Sequence, residues 1–72
     1  MGLSFKEYVS KRRLTDTPAG DFVRDARADR ALPDAESWEQ LHTYLITKGA
    51  IPEAIAAARV VWRSYRATAR NR

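Results

Sequence analysis

The sequence predicts an all-α protein that folds as one compact bundle of four helices. Three observations predict this fold class. Apolar residues recur at steps of three and four along most of the chain, which is the spacing of one helix face. No useful length alternates apolar and polar residues with the period of two that a half-buried strand requires. Each helical stretch also begins or ends at residues typical of helix boundaries.

The first two helices are predicted from their starts. Ser4 begins the first helix, because Ser4 and Glu7 have the Ser-x-x-Glu spacing of a capping box. Thr17 and Pro18 begin the second, because a proline in the first helical position gives up no needed hydrogen bond. We expect the apolar residues of these helices to face the core: Phe5, Tyr8, Val9, Phe22, Val23 and Ala26.

The last two helices follow a break at residues 31–36, which we expect Leu32 to anchor to the core. Ser37 begins the third helix with a second capping box to Gln40, and Gly49 ends it. Pro52 begins the fourth helix, which contains no breaker to about residue 69. The residues of this helix expected to face the core are Ile51, Ile55, Ala58, Trp62 and Tyr65.

The composition excludes several classes of function. The chain has 72 residues and no cysteine, so we expect one domain without disulfides or thiolate metal sites. One histidine, His42, and three isolated glycines supply no catalytic triad and no phosphate loop. We therefore expect no enzyme activity, and no catalytic, cofactor, metal or small-molecule site. Without a secretory signal or a long apolar run, we expect a cytoplasmic protein, of bacterial origin, that contacts no membrane.

A series of residues in this order and spacing resembles a known family. The series is Phe5-x-x-Tyr8-x-x-x-Arg12, Phe22, Asp29-x-x-Leu32-Pro33, Leu41-x-x-Tyr44-Leu45 and Trp62-x-x-Tyr65. It resembles the YozE-type family of small bacterial proteins, which have a fold like the sterile alpha motif (SAM). The sequence departs from the family pattern at Leu32, where phenylalanine is expected, and at Trp38, where tyrosine is expected.

The resemblance implies a compact four- to five-helix SAM-like bundle with a long C-terminal helix. It implies no activity, because the family has no agreed catalytic residues to transfer. We expect a single SAM-like domain over residues 1–72, with a core at about residues 4–66 and a basic, frayed tail at residues 67–72.

The basic residues suggest a candidate surface for nucleic acid or another anion. The net charge is +4, and residues 37–72 carry six basic and two acidic side chains, whereas residues 1–36 carry seven of each. The candidate residues are Arg59, Arg63, Arg66, Arg70, Lys11 and Arg13. The four arginines fall within a sector of roughly 60° on one helix, and guanidinium groups match phosphate oxygens.

A structural interpretation of the same arginines stays open. Their stems can cover the rim of the core while their charged ends pair with carboxylates. The carboxylates considered for this role are Asp21, Asp25, Asp29 and Glu36. For Arg12, which matches the family pattern, we expect a salt bridge to an acid in the second helix or the following loop.

A second candidate surface would contact protein. The outer side of the fourth helix carries small apolar residues at Ala56, Ala57, Val60 and Ala67, and Trp38 stands at the start of the third helix, where we expect it to be half exposed. A solvent-facing surface of this kind can accept another helix or a second copy of the chain. The alternative is that the alanines serve helix propensity alone.

These observations favour a small non-enzymatic binding module. The first hypothesis is protein–protein interaction, as an adaptor or by self-association. SAM-like domains commonly associate head to tail, so the resemblance implies that the acidic second helix would meet the basic fourth helix of a neighbour. The second hypothesis is nucleic-acid binding by the arginines.

Overall fold

Four α-helices make up the protein in a computed structural model that describes the backbone of residues 3–70 and the side chains of residues 3–68. They are α1 (Phe5–Lys11), α2 (Pro18–Ala28), α3 (Trp38–Lys48) and α4 (Pro52–Arg70). No strand occurs within the described backbone, so the predicted all-α class with a long last helix is confirmed. None of these four helices is both long and apolar enough to cross a membrane. Residues 67–70 of the predicted frayed tail continue α4, and residues 71–72 lie outside the described residues.

The helix boundaries follow the predicted capping chemistry closely. Ser4 and Glu7 form both hydrogen bonds of the capping box, and the Thr17 hydroxyl accepts a hydrogen bond from the backbone N–H of Gly20. Gly49 ends α3 with a φ of 85°, in the left-handed region that favours glycine. These caps satisfy N–H and C=O groups that the helix itself leaves without partners.

The capping box predicted at the start of α3 is only half correct. The Ser37 hydroxyl accepts from the backbone N–H of Gln40, as predicted. The Gln40 side chain, however, accepts from the N–H of Glu36 at 2.7 Å and not from Ser37. The amide reaches one residue further back, so it also fixes the end of the preceding loop.

An aromatic cluster joins the two ends of the chain. The Phe5 ring is fully buried, and its centroid lies 5.2 Å from that of Trp62 and 5.5 Å from that of Tyr65. Tyr8 packs on Tyr65 at 5.5 Å, and the Tyr65 hydroxyl donates a hydrogen bond to the Leu3 carbonyl at 3.0 Å. The short helix α1 is thereby held against the second half of α4.

The buried face of α4 differs from the predicted one. Ile51 is 62% exposed and precedes the helix, and Ala57, expected on the outer side, is buried. Ala58 and Trp62 are buried as predicted, and Val61 is buried with them. The reason is that α2 packs along α4 more extensively than any other helix does, and this contact rotates Ala57 inward.

Arg27 of α2 holds the end of α1. Its Nε donates to the Val9 carbonyl at 2.9 Å, and its Nη2 donates to the Arg12 carbonyl. The salt bridge predicted for Arg12 is wrong: within residues 3–68 no carboxylate lies within bonding distance of it. Instead, Arg12 Nη1 donates to the Tyr8 hydroxyl at 2.5 Å, so its role is structural through an aromatic partner.

Gly20 is required by a close approach between α2 and the preceding loop. A methyl group at this position would overlap the backbone carbonyl of Thr15. Alanine favours a helix by about 1 kcal/mol over glycine, but overpacking against rigid backbone costs about 3 kcal/mol. We expect Gly20→Ala to lower the free energy of unfolding by about 2 kcal/mol, measured by urea denaturation.

The matched control for that variant is Gly49→Ala, which meets open space but keeps a positive φ. It should cost about 1 kcal/mol through backbone strain alone. A Gly20→Ala protein as stable as the unmodified chain would contradict the close approach of the loop to α2.

Candidate interaction surfaces of the long helix

The core contacts of α4 fix its rotation and leave two exposed flanks. At about 100° per residue, Arg59 and Arg66 lie toward Trp62 and Val60 lies toward Ala57. Arg63 and Ala56 lie between these two flanks and point away from the core. The first flank meets the start of α3, since the Arg59 guanidinium lies over the Trp38 ring. The second flank meets the start of α2, and the predicted basic and apolar stripes border each other at Arg63 and Val60, which are three residues apart.

The arginine surface, defined as Arg59, Arg63 and Arg66, is exposed. None of its three members forms a salt bridge with any carboxylate among residues 3–68. The pairing considered for these arginines with the acids of α2 and the loop after it is therefore not present. The Arg70 side chain, the fourth member of the predicted stripe, lies outside the described residues.

Arg59 differs from its two neighbours because it contacts an aromatic side chain. Its guanidinium carbon lies 4.9 Å from the centroid of the Trp38 ring, in a cation–π contact. His42 stacks on the same indole, with ring centroids 5.4 Å apart and planes 18° apart. Trp38 is half buried, as predicted, and packs against the core. This stack ties α3 to α4 and leaves Arg63 and Arg66 as the open part of the arginine surface.

The remaining two candidate basic residues lie at the end of α1. Lys11 and Arg13 are both exposed. The contact between Tyr8 and Tyr65 places the last turn of α1 against the part of α4 that carries Arg66. Tyr8 and Tyr65 thus join the two helices near which the candidate basic residues lie.

The second flank of α4 forms one wall of an open apolar groove, which we name the α2–α4 groove. Its volume is about 570 Å³. The residues that line it are Thr17, Pro18, Ala19, Glu53, Ala56, Ala57 and Val60. Val60 is 51% exposed there, although valine is one of the residues most often buried in folded proteins.

A second cavity of about 220 Å³ extends the α2–α4 groove toward Ile51. The two cavities share Pro18, Glu53 and Ala57. The extension adds two carboxylates, from Asp21 and Asp25. The groove and its extension together contain three acidic side chains and no basic one.

Two of the four predicted protein-contact residues line this groove. Ala56 and Val60 do, whereas Ala67 is exposed outside it and Trp38 lies on the other flank of α4. Pro18 and Ala19 were missed, because they belong to a helix whose position against α4 the sequence pattern does not give. The sequence feature that could have identified them is a pair of small apolar residues at the start of α2.

Asp29 is used inside the fold, in a cluster with Tyr44 and Lys48. Lys48 Nζ lies 2.5 Å from Asp29 Oδ2, and the Tyr44 hydroxyl donates to the same oxygen. The hydrogen bonds from Lys48 and then Tyr44 lower the pKa of Asp29 from 3.8 to about 2. The same contacts raise the pKa of Tyr44 and that of Lys48, since each is bonded to a carboxylate. The cluster links the end of α2 to α3.

The described part of the chain offers no metal-binding group. No three His, Asp or Glu side chains in it come close enough together to hold a metal ion. The candidate sites in this part of the chain are the two surfaces on the flanks of α4.

Comparison with protein families assigns the chain to one of them. Residues 4–67 match the model of the family described as "YozE SAM-like fold". The match covers most of the chain, and the chain belongs to this family. Comparisons with curated proteins and with solved structures gave no match.

The Asp29 cluster makes stability depend on acid pH. Because the pKa of Asp29 is lower in the folded chain, its contribution is fully present above about pH 4 and is lost as the pH falls from 3.8 to about 2. We expect Asp29→Asn to lower the urea midpoint of unfolding at pH 7. Between pH 5 and pH 2 that midpoint should decrease less in the variant than in the unmodified chain.

The matched control removes an exposed carboxylate outside the cluster, as Asp16→Asn. Lys48→Gln removes the hydrogen bond that lowers the pKa of Asp29 most. It should therefore reproduce part of the weaker dependence of the urea midpoint on acid pH. If the urea midpoint of Asp29→Asn decreases between pH 5 and pH 2 as much as that of the unmodified chain, the role given to the cluster is contradicted.

Proposed function

Taking the chain as a member of the YozE SAM-like family, we propose that it is a small non-enzymatic protein-interaction module that docks its partner in the α2–α4 groove. The observation that carries the proposal is an open apolar groove of about 570 Å³ between two helices, with Val60 half exposed in its wall. The exposed apolar side chains of such a groove can pack against the apolar face of a partner helix.

The size of the domain strengthens this argument. A chain of 72 residues buries only about 60% of its unfolded surface, so it has little stability to spare. Full burial of a Val or Ile side chain stabilises a fold by about 1.5–3 kcal/mol. The fold nevertheless leaves Val60 and Ile51 more than half exposed, at the groove and its extension. A partner that covers both residues would recover that stabilisation.

The shape of the groove favours a helical partner. Its walls are the first turn of α2 and the first half of α4, and the residues between them are small, at Ala19, Ala56 and Ala57. Small side chains let another backbone approach closely, and a groove between two helices is the usual receptor for an amphipathic helix.

Docking in the groove predicts a local response to helical peptides. Peptides of about 18 residues, long enough to form helices, would be prepared with one apolar face and basic, neutral or acidic flanks. They would be titrated into ¹⁵N-labelled protein and followed by the NMR shifts of its amides. We expect at least one peptide to shift the amides of groove residues, and Val60→Gln to weaken that binding at least tenfold.

Ala67→Gln is the matched control, because Ala67 is exposed on the same helix but outside the groove. It should bind the peptides like the unmodified chain. If no peptide shifts the groove, or if the shifts map only to other surfaces, docking in this groove is rejected.

A second candidate function is nucleic-acid binding by the arginine surface. The observation that favours it is that Arg63 and Arg66 are exposed and pair with no carboxylate among residues 3–68. Lys11 and Arg13 add two exposed basic side chains at the end of α1. Guanidinium groups in such a region can contact successive phosphates, which makes binding depend strongly on salt.

This second function predicts salt-dependent binding to labelled DNA. Fluorescence anisotropy with duplex and single-stranded DNA should show binding that persists at physiological salt, with a slope of about −3 in log affinity against log salt. Replacing Arg59, Arg63, Arg66 and Arg70 by glutamine should abolish it, whereas Arg24→Gln on α2 should not. Full affinity in the fourfold variant, or no binding at low salt, would remove this candidate.

A further inference from the structure

We propose that the partner in the α2–α4 groove is a cationic amphipathic helix of another protein, with lysine or arginine on both sides of an apolar face. This inference rests on the proposed function, because it names the chemistry of what the groove binds. Its basis is the charge around the groove, which is opposite to the charge of the chain as a whole.

The sign of that charge is unusual for this protein. The chain has 13 Lys and Arg against nine Asp and Glu, yet the groove and its extension are lined by three acids and no base. The three acids are Asp21, Asp25 and Glu53. A groove with this lining attracts cationic segments and repels acidic ones and nucleic acid.

These carboxylates are open to a partner. Asp25 and Glu53 are exposed, and neither pairs with a base among residues 3–68. Asp21 lies 3.5 Å from Arg24, but both side chains are mostly exposed, and such pairs contribute little. Asp21 and Glu53 also stand in the first turns of their helices, where acids favour the helix dipole. Asp25 stands in the middle of α2, where a carboxylate does not gain stability from the helix dipole.

The placement of the acids fits a helix with basic residues on both flanks. Asp21 and Asp25 come from α2, and Glu53 comes from α4, so carboxylates stand on both walls. The floor between them is apolar along both cavities. A helix in the groove would place its apolar face on this floor and its lysines or arginines against the two walls.

A second copy of the chain fits this groove less well. Its basic helix is α4, and the large side chains beside the arginines there, Val61 and Trp62, are buried in its own core. The arginine surface could satisfy the carboxylates, but the exposed apolar side chains beside it, Ala56, Val60 and Ala67, are small for a groove of about 570 Å³. A separate amphipathic helix can supply both.

The test compares three peptides that share one apolar face and carry lysine, glutamine or glutamate on its flanks. Their affinities for the full chain would be measured by fluorescence anisotropy at low and at physiological salt. We expect the lysine peptide to bind at least tenfold more tightly than the glutamine peptide, and the glutamate peptide to bind most weakly. The preference for lysine should decrease as salt rises.

Two variants separate charge from docking. For the triple variant Asp21→Asn/Asp25→Asn/Glu53→Gln, the affinity of the lysine peptide should fall to that of the glutamine peptide. The affinity of the glutamine peptide should be the same for this variant as for the unmodified chain. In Val60→Gln every peptide should bind more weakly, as in the mapping experiment. Circular dichroism and the urea midpoint would show that both variants remain folded.

Each remaining outcome overturns the inference in a recognisable way. Equal binding of the lysine and glutamine peptides would reject a cationic partner and leave docking in the groove intact. Lysine-peptide binding that Val60→Gln does not weaken would mean attraction to the acids without docking. Sedimentation of the chain alone as an oligomer that Val60→Gln dissociates would make a second copy the occupant. Failure of all three peptides would reject the proposed function itself.

Discussion

The burial of Phe5 between Trp62 and Tyr65 is the contact on which the rest of the structure depends. Helix α1 has seven residues, too few to be stable alone, so its order comes from this contact and from the bonds that Arg27 makes to its last carbonyls. The contact also joins the two ends of the chain, since Tyr65 bonds to the Leu3 carbonyl. Together with the more extensive packing of α2 along α4, this contact fixes the rotation of the 19-residue helix.

That rotation determines what the outside of α4 can do. With Trp62 and Val61 turned inward, the arginines emerge on one flank and Val60 on the other. The first flank carries positive charge, and the second faces a groove lined only by acids among its charged residues. The two adjoining surfaces therefore differ in the sign of their charge, and a ligand suited to one is disfavoured by the other.

Local chemistry was predictable from the sequence, whereas packing between helices was not. The starts at Ser4 and Thr17 and the end at Gly49 depend on residues within one turn, so short patterns were sufficient. Ala57 is buried in the core and Ile51 is not, because of how α2 lies along α4. No pattern within α4 gives the position of α2. The groove was half predicted for the same reason: the α4 wall was visible as a small apolar stripe, and the α2 wall was not.

The small residues between α2 and α4 connect the stability of the fold to the groove. Ala57 and Ala58 are buried and let α2 approach α4 closely, which explains why α4 is rich in alanine at these positions. That explanation does not extend to Ala56 and Val60, which are exposed and face the groove. Larger apolar residues at Ala19 or Ala56 would fill the groove and bury more surface, at a benefit that a domain of this size could use. The open groove is thus a feature that packing within one chain does not explain, and it is the reason for the partner proposed above.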